Sequence, residues 1–348
     1  MPESCDVVVI GGGQAGLAAG YYLRRAGLNY VILDAAYQAG GAWQHYWHSM
    51  RLFSPAEYSP LPGWGMPRQE GEEFPTAGHV VDYLRAYEKR YDLAVRRPVR
   101  VHQVRPAGER LAVESEAGTW LARYVISATG TWECPYVPDV PGREAFAGRQ
   151  LHTVDYTSPQ DFRGQRVVVV GGGNSAAQIL AEVSRVAEAT WVTMRPPRFM
   201  PDDVDGRVLF GVATRAAGGG AGGGVSDLGD IVMVPTVRDA RERGVLHARP
   251  MFVRLTAHGV RWADGAEQSC DAVIWCTGFR PNLTHLAPLL PGGRHGEVET
   301  EGTRSVDESR LYLLGYGDWT GPASATLVGA GRTAKATVAD IATRIRES

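Results

Sequence analysis

The sequence predicts an α/β fold with two Rossmann-like dinucleotide-binding domains, the second inserted into the first. A strand, glycine turn, helix and strand follow one another twice along the 348 residues, and each copy is followed by a strand that ends in Thr-Gly. We expect the first domain at residues 1–145 and 283–348 and the second at residues 146–282. Hydrophobic residues make up 44% of the chain and charged residues 21%, which is typical of a globular protein with a substantial core.

The first glycine turn follows a short apolar run and opens an amphipathic segment. Gly11 permits the tight turn, Gly13 has no Cβ to block a pyrophosphate, and Gly16 lets the helix pack closely on the strand. The helix begins near Gln14 and Ala15, where free N–H groups and the positive end of the helix dipole favour phosphate. The spacing therefore predicts a nucleotide phosphate at this turn.

Asp34 closes the second apolar run of this copy. It lies about twenty residues after the first glycine, where an acid accepts the hydroxyls of an adenosine ribose. The segment between them carries an apolar stripe of helical period and ends near Gly27, a residue suited to a helix C-cap. Because strand, turn, helix and acid occur together, we interpret this copy as a dinucleotide site and not as a structural turn.

The second copy carries the corresponding residues without the acid. The turn residues that we predict to bind a second dinucleotide are Gly171, Gly173, Asn174, Ser175 and Ala176. Arg195 stands where Asp34 closes the first copy, and Arg198 follows it. An arginine there can bond a ribose 2′-phosphate, so this site is predicted to prefer NADP to NAD. The alternative is that Arg195 is a surface charge at a strand end.

The remaining apolar patterns predict the other elements of the two domains. Strands are predicted over residues 98–104, 111–114, 120–127, 190–194, 251–255, 259–262, 272–275 and 311–314, and helices over residues 76–91 and 333–346. The glycine-rich run at residues 218–224 is predicted to be a flexible loop.

The ends of three predicted strands carry small residues. Ala128, Thr129 and Gly130 end one strand. A second Thr-Gly pair, which ends at Gly278, closes the corresponding strand of the second copy. Small residues there let a backbone approach a ligand closely. After the last strand, Asp318 could bond a sugar-alcohol chain or act as an ordinary capping aspartate. The glycines at residues 329–331 are expected to precede a helix whose dipole points at a ring carbonyl.

Large aromatic side chains concentrate between Trp43 and Trp64. They form either a core cluster under a surface loop or, with Gly41 and Trp43, the surroundings of a flat ring held at the first turn. His45 and His48 are not expected to bind a metal, because no cysteine or carboxylate cluster accompanies them.

Composition excludes several classes of function. The formal net charge of -2 argues against a nucleic-acid partner, and the arginines at residues 96–97 are expected on a solvated face. No apolar run has the length of a bilayer span, and the N-terminus lacks the features of a secretory signal, so we expect a cytoplasmic protein. The four cysteines form no C-x-x-C pair, which disfavours a zinc ribbon or a dithiol centre and favours reduced, inert thiols.

The two turns, the two Thr-Gly strand ends and Gly317-Asp318 resemble flavoproteins with two dinucleotide-binding domains. A sharper match is Phe146-x-Gly148-x-x-x-His152-x-x-x-Tyr156, which resembles the identifying sequence of class B flavin monooxygenases in its flavin-containing monooxygenase form. The compact length, with the motifs at residues 52–56 and 201–206, is similar to bacterial flavoproteins of arsenic- and metal-resistance operons. The resemblance implies FAD at the first site and NADPH at the second.

The resemblance also implies which residues contact each cofactor. Those assigned to FAD are Gly11, Gly13, Gln14, Ala15, Gly16, Asp34, Gly41, Trp43, Val101, Ala128, Thr129, Gly130, Gly317 and Asp318. Those assigned to NADP are Gly171, Gly173, Asn174, Ser175, Ala176, Arg195, Arg198 and Gly278.

The implied activity is that of an NADPH-dependent monooxygenase. NADPH reduces the flavin, O2 forms a C4a-hydroperoxide, and this oxidises a small molecule with a soft nucleophilic sulfur, nitrogen or trivalent arsenic. Ser54 is the catalytic candidate, since it occupies the loop where many family members have an asparagine near C4a.

Other interpretations stay open at this point. The rivals are an NADPH:acceptor reductase of the thioredoxin-reductase-like ferredoxin type, an NADPH oxidase, and a protein that binds FAD and NADPH without turnover. A disulfide reductase is disfavoured because no vicinal cysteine pair exists. The oligomeric state is also open, with a homodimer as one expectation.

Overall fold

A computed structural model describes residues 2–202, 230–290 and 296–347. The strands are β1 (Glu3–Ile10), β2 (Tyr30–Leu33), β3 (Val95–Arg96), β4 (Val101–Ala107), β5 (Arg110–Ser115), β6 (Gly118–Ser127), β7 (Arg149–His152), β8 (Arg166–Val170), β9 (Glu188–Thr193), β10 (Ala248–Pro250), β11 (Arg254–Thr256), β12 (Gly259–Arg261), β13 (Glu267–Ser269), β14 (Ala272–Trp275), β15 (Thr300–Glu301), β16 (Arg304–Ser305) and β17 (Leu311–Leu313). The helices are α1 (Gln14–Arg25), α2 (Ala77–Arg90), α3 (Asn174–Val183), α4 (Pro235–Glu242) and α5 (Leu327–Glu347).

The chain divides into two compact units. The first comprises Met1–Gln44, Ser54–Cys134 and Arg280–Ser348, and the second comprises His45–Phe53 and Pro135–Phe279. The second unit thus interrupts the first, as expected of an inserted domain. The short segment His45–Phe53 also belongs to the second unit, which the sequence pattern did not indicate.

The first unit is built on a sheet in the order β15-β16-β17-β6-β1-β2-β3. Strands β1, β2, β3, β6 and β17 are parallel along this path, while β4 and β5 continue from β6 as an antiparallel meander. The central strands β1 and β6 have buried apolar runs, as is typical of parallel strands covered on both faces. Helices α1 and α5 pack against each other beside this sheet.

Helix α1 shows why the first pattern folds as predicted. Its buried face consists of small and apolar residues at helical spacing. Arg24 and Arg25 in its last turn place positive charge near the negative end of the helix dipole, which stabilises the helix. Gly27 has a positive φ of 67°, and its N–H donates to the carbonyl oxygen of Arg24 at 3.2 Å. The predicted glycine C-cap is therefore present just beyond the helix.

The second unit contains a smaller, fully parallel sheet in the order β10-β9-β8-β14-β7. A three-stranded antiparallel sheet of β11, β12 and β13 accompanies it. Together with the first unit, this confirms the predicted α/β class with two parallel-sheet domains.

Helix α5 corrects one sequence prediction, since it begins at Leu327 and not at Thr333. The glycines at residues 329–331 therefore lie inside the helix and do not precede it. A Cβ added at Gly329 would lie 1.9 Å from the carbonyl oxygen of Ala323, so glycine here permits a close backbone approach. A glycine that serves packing cannot be told from a glycine that ends a helix by sequence pattern alone.

Several other predictions shift or fall outside the described residues. The strand predicted over 98–104 runs over Val101–Ala107, and the strand predicted over 251–255 is shortened to Arg254–Thr256. The glycine-rich run at 218–224 and the end of the motif at 201–206 lie outside the described residues. Among the helices described, none is both long enough and apolar enough to span a bilayer.

Candidate functional site

The first glycine turn closes tightly against the end of β6. Gly11 has a φ of +106°, and its N–H donates to the carbonyl oxygen of Leu33 at 2.8 Å. A Cβ added at Gly11 would lie 2.5 Å from the carbonyl oxygen of Ala128, and one added at Gly16 would lie 1.9 Å from the carbonyl oxygen of Gly11. Side chains at either position would force strand, turn and helix apart.

The same turn is open beside Gly13. A Cβ added there would have the Cα of Gly41 at 3.8 Å as its nearest neighbour, so this side of the turn has room for a ligand. The N-terminus of α1, where the first backbone N–H groups have no partner within the helix, directly follows. A tight turn with an open face at a helix N-terminus fits the pyrophosphate of a dinucleotide.

The Gly41–Trp43 motif meets this turn. Gly41 has a φ of +53°, and a Cβ added to it would lie 2.8 Å from the Cα of Gly13. Trp43 Nε1 donates to Gln14 Oε1 at 2.9 Å, and Gln14 Nε2 donates to the carbonyl oxygen of Ala325 at 2.6 Å. The predicted residues therefore come together, and Gln14 acts as the link between the loop and the start of α5.

The acid of the first copy lies at the same edge of the sheet. Asp34 is buried, its Oδ1 accepts from the N–H of Ala36 at 3.3 Å, and its Oδ2 accepts from Arg97 Nε at 2.6 Å. The expectation of a solvated face holds for Arg96, which is exposed and pairs with Glu3, but it is wrong for Arg97. The burial of Arg97 follows from the pairing of β2 with β3, which no single-sequence pattern shows.

A directional chain of hydrogen bonds fixes the Thr-Gly strand end of the first unit. Thr129 Oγ1 donates to the carbonyl oxygen of Asn282 at 2.7 Å, so it must accept from Tyr316 Oη, also at 2.7 Å. Tyr316 then accepts from Ser127 Oγ at 2.6 Å, and Ser127 accepts from His285 Nε2 at 3.0 Å. Burial lowers the pKa of His285 to about 4, which keeps the ring neutral with its proton on Nε2.

Three other residues assigned to FAD have structural contacts of their own. Gly317 has a φ of +104°, and its carbonyl oxygen accepts from the hydroxyl of Ser324 at 2.6 Å. Asp318 Oδ1 accepts from the N–H of Ala323 at 3.2 Å, which is the capping interaction expected of an ordinary turn aspartate. Val101 packs against the apolar core of the first unit.

The glycine turn of the second unit repeats the first. Gly171 has a φ of +141°, its N–H donates to the carbonyl oxygen of Val192 at 2.9 Å, and an added Cβ would lie 2.2 Å from the carbonyl oxygen of Cys276. A Cβ added at Gly173 would meet nothing within 4 Å. Ala176, in place of a third glycine, is fully buried. This turn also fits a pyrophosphate.

The other residues assigned to NADP differ in whether their side chains are already bonded within the protein or exposed to a ligand. Both polar atoms of the Asn174 side chain already bond the backbone: its Oδ1 accepts from the N–H of Val232 at 2.8 Å, and its Nδ2 donates to the carbonyl oxygen of Asp230 at 3.2 Å. Ser175 is half-buried in the first turn of α3. Arg198 forms a two-bond ion pair with Asp230, at 2.7 and 3.0 Å, that lowers the pKa of this carboxyl. Arg195 is exposed just beyond β9.

The motif from residue 146 to 156 is built into the second unit. Phe146 belongs to its apolar core, and a Cβ added at Gly148 would lie 2.4 Å from the Phe146 ring. His152 Nδ1 accepts from the N–H of Val154 at 3.3 Å, so its Nε2 carries the proton and donates to the carbonyl oxygen of Gly278 at 3.0 Å. Burial lowers the pKa of His152, in keeping with a neutral ring. The motif thus holds the second Thr-Gly strand end.

Tyr156 ends this motif and contacts the half-buried carboxylate of Glu182. Its phenol donates to Glu182 Oε2 at 3.1 Å, and Trp47 Nε1 donates to Glu182 Oε1 at 3.4 Å. The rings of Trp47 and Tyr156 lie edge to face, with centroids 5.7 Å apart. Burial raises the pKa of Glu182. Sequence reasoning missed Glu182, because one acid on a helix has no periodic signal.

Two further expectations concern Ser54 and the thiols. Ser54 is half-buried where the chain re-enters the first unit, and its catalytic role stays a prediction. All four cysteines are reduced, and burial raises the pKa of Cys270 to about 11 and that of Cys276 to about 12. Thiols with raised pKa values are poor nucleophiles, which agrees with the expected inert role.

Two parallel-sheet units, each with an open glycine turn between a central parallel strand and the helix that follows it, define the class of two-dinucleotide-domain oxidoreductases. Comparison with known proteins agrees. The family model of the pyridine nucleotide-disulphide oxidoreductases matches residues 8–208. The flavin-containing monooxygenase of Stenotrophomonas maltophilia is 53% identical, with a TM-score of 0.91 and 99% of each chain covered.

Two curated relatives are more distant. An uncharacterised oxidoreductase of Geobacillus kaustophilus (strain HTA426), named CzcO-like, is 28% identical over 98% of this chain and 99% of its own. The indole-3-pyruvate monooxygenase YUCCA1 of Oryza sativa subsp. japonica is 27% identical over 79% of this chain and 77% of its own.

The chain belongs to the pyridine nucleotide-disulphide oxidoreductase family and, within it, to the flavin monooxygenases. It is a flavin-dependent oxidoreductase, and the predicted cofactors FAD and NADPH are confirmed at the level of the family. The resemblance drawn from the motif at residues 146–156 is therefore confirmed as well.

Proposed function

We propose that this chain is an NADPH-dependent FAD monooxygenase that oxygenates a small soft nucleophile, with sulfur, nitrogen or trivalent arsenic as the acceptor atom, through the flavin C4a-hydroperoxide. The observation that carries the proposal is the motif from Phe146 to Tyr156. Each of its four defining residues makes a specific packing contact or hydrogen bond within the second unit. The likeness to a flavin-containing monooxygenase over 99% of the chain supports it.

We assign FAD to the first unit. Bound flavin would supply hydride acceptance and oxygen activation, so the protein needs only to bind, orient and shield it. The open face at Gly13 and the N-terminus of α1 would hold the pyrophosphate, and Asp34 would accept the ribose hydroxyls. Gly41, which lies against Gly13, and Trp43, held by Gln14, would line the same site.

We assign the nicotinamide dinucleotide to the second unit, with a preference for NADPH. The open face at Gly173 would hold its pyrophosphate. Arg195 is exposed at the end of β9, where it can bond a 2′-phosphate, whereas Arg198 is already paired with Asp230. Arg195 is therefore the stronger candidate for cofactor selection.

We also propose that Ser54 contributes by hydrogen bonding near the oxygen-activating edge of the flavin. Its hydroxyl can donate and accept, which is the chemistry that the asparagine of many family members supplies at the comparable loop position. Small-molecule substrate and O2 are the partners that this proposal requires.

The experiment compares NADPH consumption, O2 uptake and H2O2 release by purified protein under air. We expect a yellow protein that oxidises NADPH, and a class of sulfide, amine or trivalent arsenical that lowers the H2O2 yield while an oxygenated product appears. Indole-3-pyruvate is included as a carbonyl substrate outside the proposed class. Return of all electrons as H2O2 with every compound would overturn the monooxygenase assignment in favour of an oxidase.

A second measurement separates the remaining rivals. NADPH-reduced protein is mixed with oxygenated buffer in a stopped-flow spectrometer, and separately with oxidised ferredoxin under anaerobic conditions. We expect a transient flavin-oxygen spectrum in the first mixture and slow reoxidation in the second. Fast reoxidation by ferredoxin alone would favour a reductase, and absence of NADPH turnover would favour a binding protein.

A further inference from the structure

Arg97 lies beside the ribose-binding acid because of the strand register. In the parallel pair β2–β3, Leu33 is aligned with Arg96, so the next residues, Asp34 and Arg97, leave the sheet side by side. Arg97 Nε donates to Asp34 Oδ2 at 2.6 Å, and Arg97 Nη1 donates to Glu88 Oε1 of helix α2 at 2.7 Å. One guanidinium therefore bridges two carboxylates.

This triad of Asp34, Arg97 and Glu88 is largely withdrawn from solvent, which has an energetic cost. The side chains of Arg97 and Asp34 are 11% and 10% exposed, and that of Glu88 is 21% exposed. Arg97 Nη2 and Glu88 Oε2 are both buried and have no hydrogen-bond partner among the residues that the structure describes. Buried ion networks with unpaired atoms stabilise a fold less than apolar packing of similar volume does. Fold stability alone therefore gives little reason for an arginine here.

The position of the triad indicates another reason. A Cβ added at Gly12 would lie 2.5 Å from Asp34 Oδ2 and 2.8 Å from Arg97 Nη2. The triad therefore packs directly under the first glycine turn. With Oδ2 held by Arg97, the rotation of the Asp34 carboxylate is fixed, and within the described part of the chain Oδ1 has only the long bond from the N–H of Ala36.

We propose that Arg97 is a positioning residue for the adenosine end of the flavin dinucleotide: it holds the carboxylate of Asp34 in one rotamer, with an oxygen turned to the ribose hydroxyls, while Glu88 holds Arg97. The inference rests on the proposed assignment of FAD to the first unit. A guanidinium suits this task because its planar fork serves two carboxylates at fixed angles, which a lysine ammonium cannot do.

The test measures FAD affinity, not activity. Arg97→Met removes the fork while keeping most of the volume, and Arg96→Met is the matched control, since Arg96 is the neighbouring arginine and pairs with Glu3 at the surface. FAD release on dilution of the holoenzyme is followed by recovery of flavin fluorescence. We expect the dissociation constant of FAD to rise about tenfold or more in Arg97→Met, and to change less than about twofold in Arg96→Met.

A second readout separates positioning from mere structural support. Deflavinated wild-type and Arg97→Met proteins are reconstituted with FAD and with an analogue whose adenosine lacks the ribose 2′-hydroxyl. If Arg97 acts through Asp34, loss of the hydroxyl weakens binding strongly in the wild type and little in the variant. Equal losses in both proteins, or equal FAD affinity of the two methionine variants, would overturn the inference.

Folding and the failure of the underlying assignment are controlled separately. If Arg97→Met does not fold, Arg97→Lys carries the same test, because it keeps the charge but not the fork, and the same rise in FAD dissociation is expected. NADPH affinity, measured by tryptophan quenching, is expected to be unchanged. A wild-type protein that binds no FAD would refute the proposed function itself, whereas wild-type binding without an Arg97 effect refutes only this inference.

Discussion

The phenol of Tyr156 donates a hydrogen bond to the carboxylate of Glu182, with 3.1 Å between Oη and Oε2. The other oxygen of Glu182 accepts from the indole of Trp47 at 3.4 Å. This carboxylate therefore joins the last residue of the motif, helix α3, and the segment His45–Phe53, which belongs to the second unit although its flanking residues belong to the first.

Removal of the Tyr156 hydroxyl is expected to destabilise the protein. Tyr156→Phe removes one hydrogen bond to a half-buried carboxylate, which costs about 1–3 kcal/mol of unfolding free energy. Urea unfolding measures the change. Tyr37→Phe is the control, because Tyr37 is largely exposed and its hydroxyl should contribute nothing measurable. Equal unfolding midpoints for the two variants would show that the hydrogen bond has no net value.

Stability is expected to fall at acidic pH through His285. Burial lowers its pKa from the ordinary 6.5 to about 4, so the unfolded chain binds a proton that the folded protein does not. The stabilising contribution is complete above pH 6.5 and is lost as the pH falls toward 4, a change on the order of 3 kcal/mol.

The measurement is the free energy of unfolding of wild type and His285→Gln between pH 4 and pH 7. The amide of glutamine can donate to Ser127 Oγ but does not titrate, so the variant should lose less stability than the wild type across this range. Parallel pH profiles for the two proteins would contradict the assignment of the effect to His285.

A methyl group at the first turn is expected to abolish flavin binding. In Gly16→Ala, the new Cβ would be built 1.9 Å from the carbonyl oxygen of Gly11, so turn and helix must separate. Gly78→Ala is the control, because a Cβ at that helical position has its nearest neighbour at 3.9 Å. Flavin content after purification measures the outcome, and a yellow Gly16→Ala protein with normal FAD affinity would contradict the prediction.

Loss of Arg195 is expected to reduce the preference for NADPH. Arg195→Ala should raise the KM for NADPH about tenfold or more and leave the KM for NADH nearly unchanged, because only NADPH carries the 2′-phosphate. Arg198→Ala is the comparison, since its guanidinium is already paired with Asp230. A larger effect of Arg198→Ala on NADPH would show that the ion pair opens to bind the phosphate.

Local sequence patterns predicted the parts whose physical cause is local. The turn at Gly11 and the turn at Gly171 were predictable, because a positive φ and a close backbone approach exclude other residues wherever such a turn folds. The fold class followed from the same repeated pattern. The start of α5 was predicted wrongly, because Gly329 serves contact with Ala323 and not helix termination.

The sequence by itself determined two glycine turns between strand and helix, the acid at Asp34 and the motif that ends at Tyr156. Only the tertiary structure decided which charged residues contact them: Arg97 pairs with Asp34, and Glu182 accepts a hydrogen bond from Tyr156. The physical reason is that both partners are distant in sequence and are brought together by strand register and helix packing. A single charged residue has no period along the chain, so its partner can be identified only once the chain has folded.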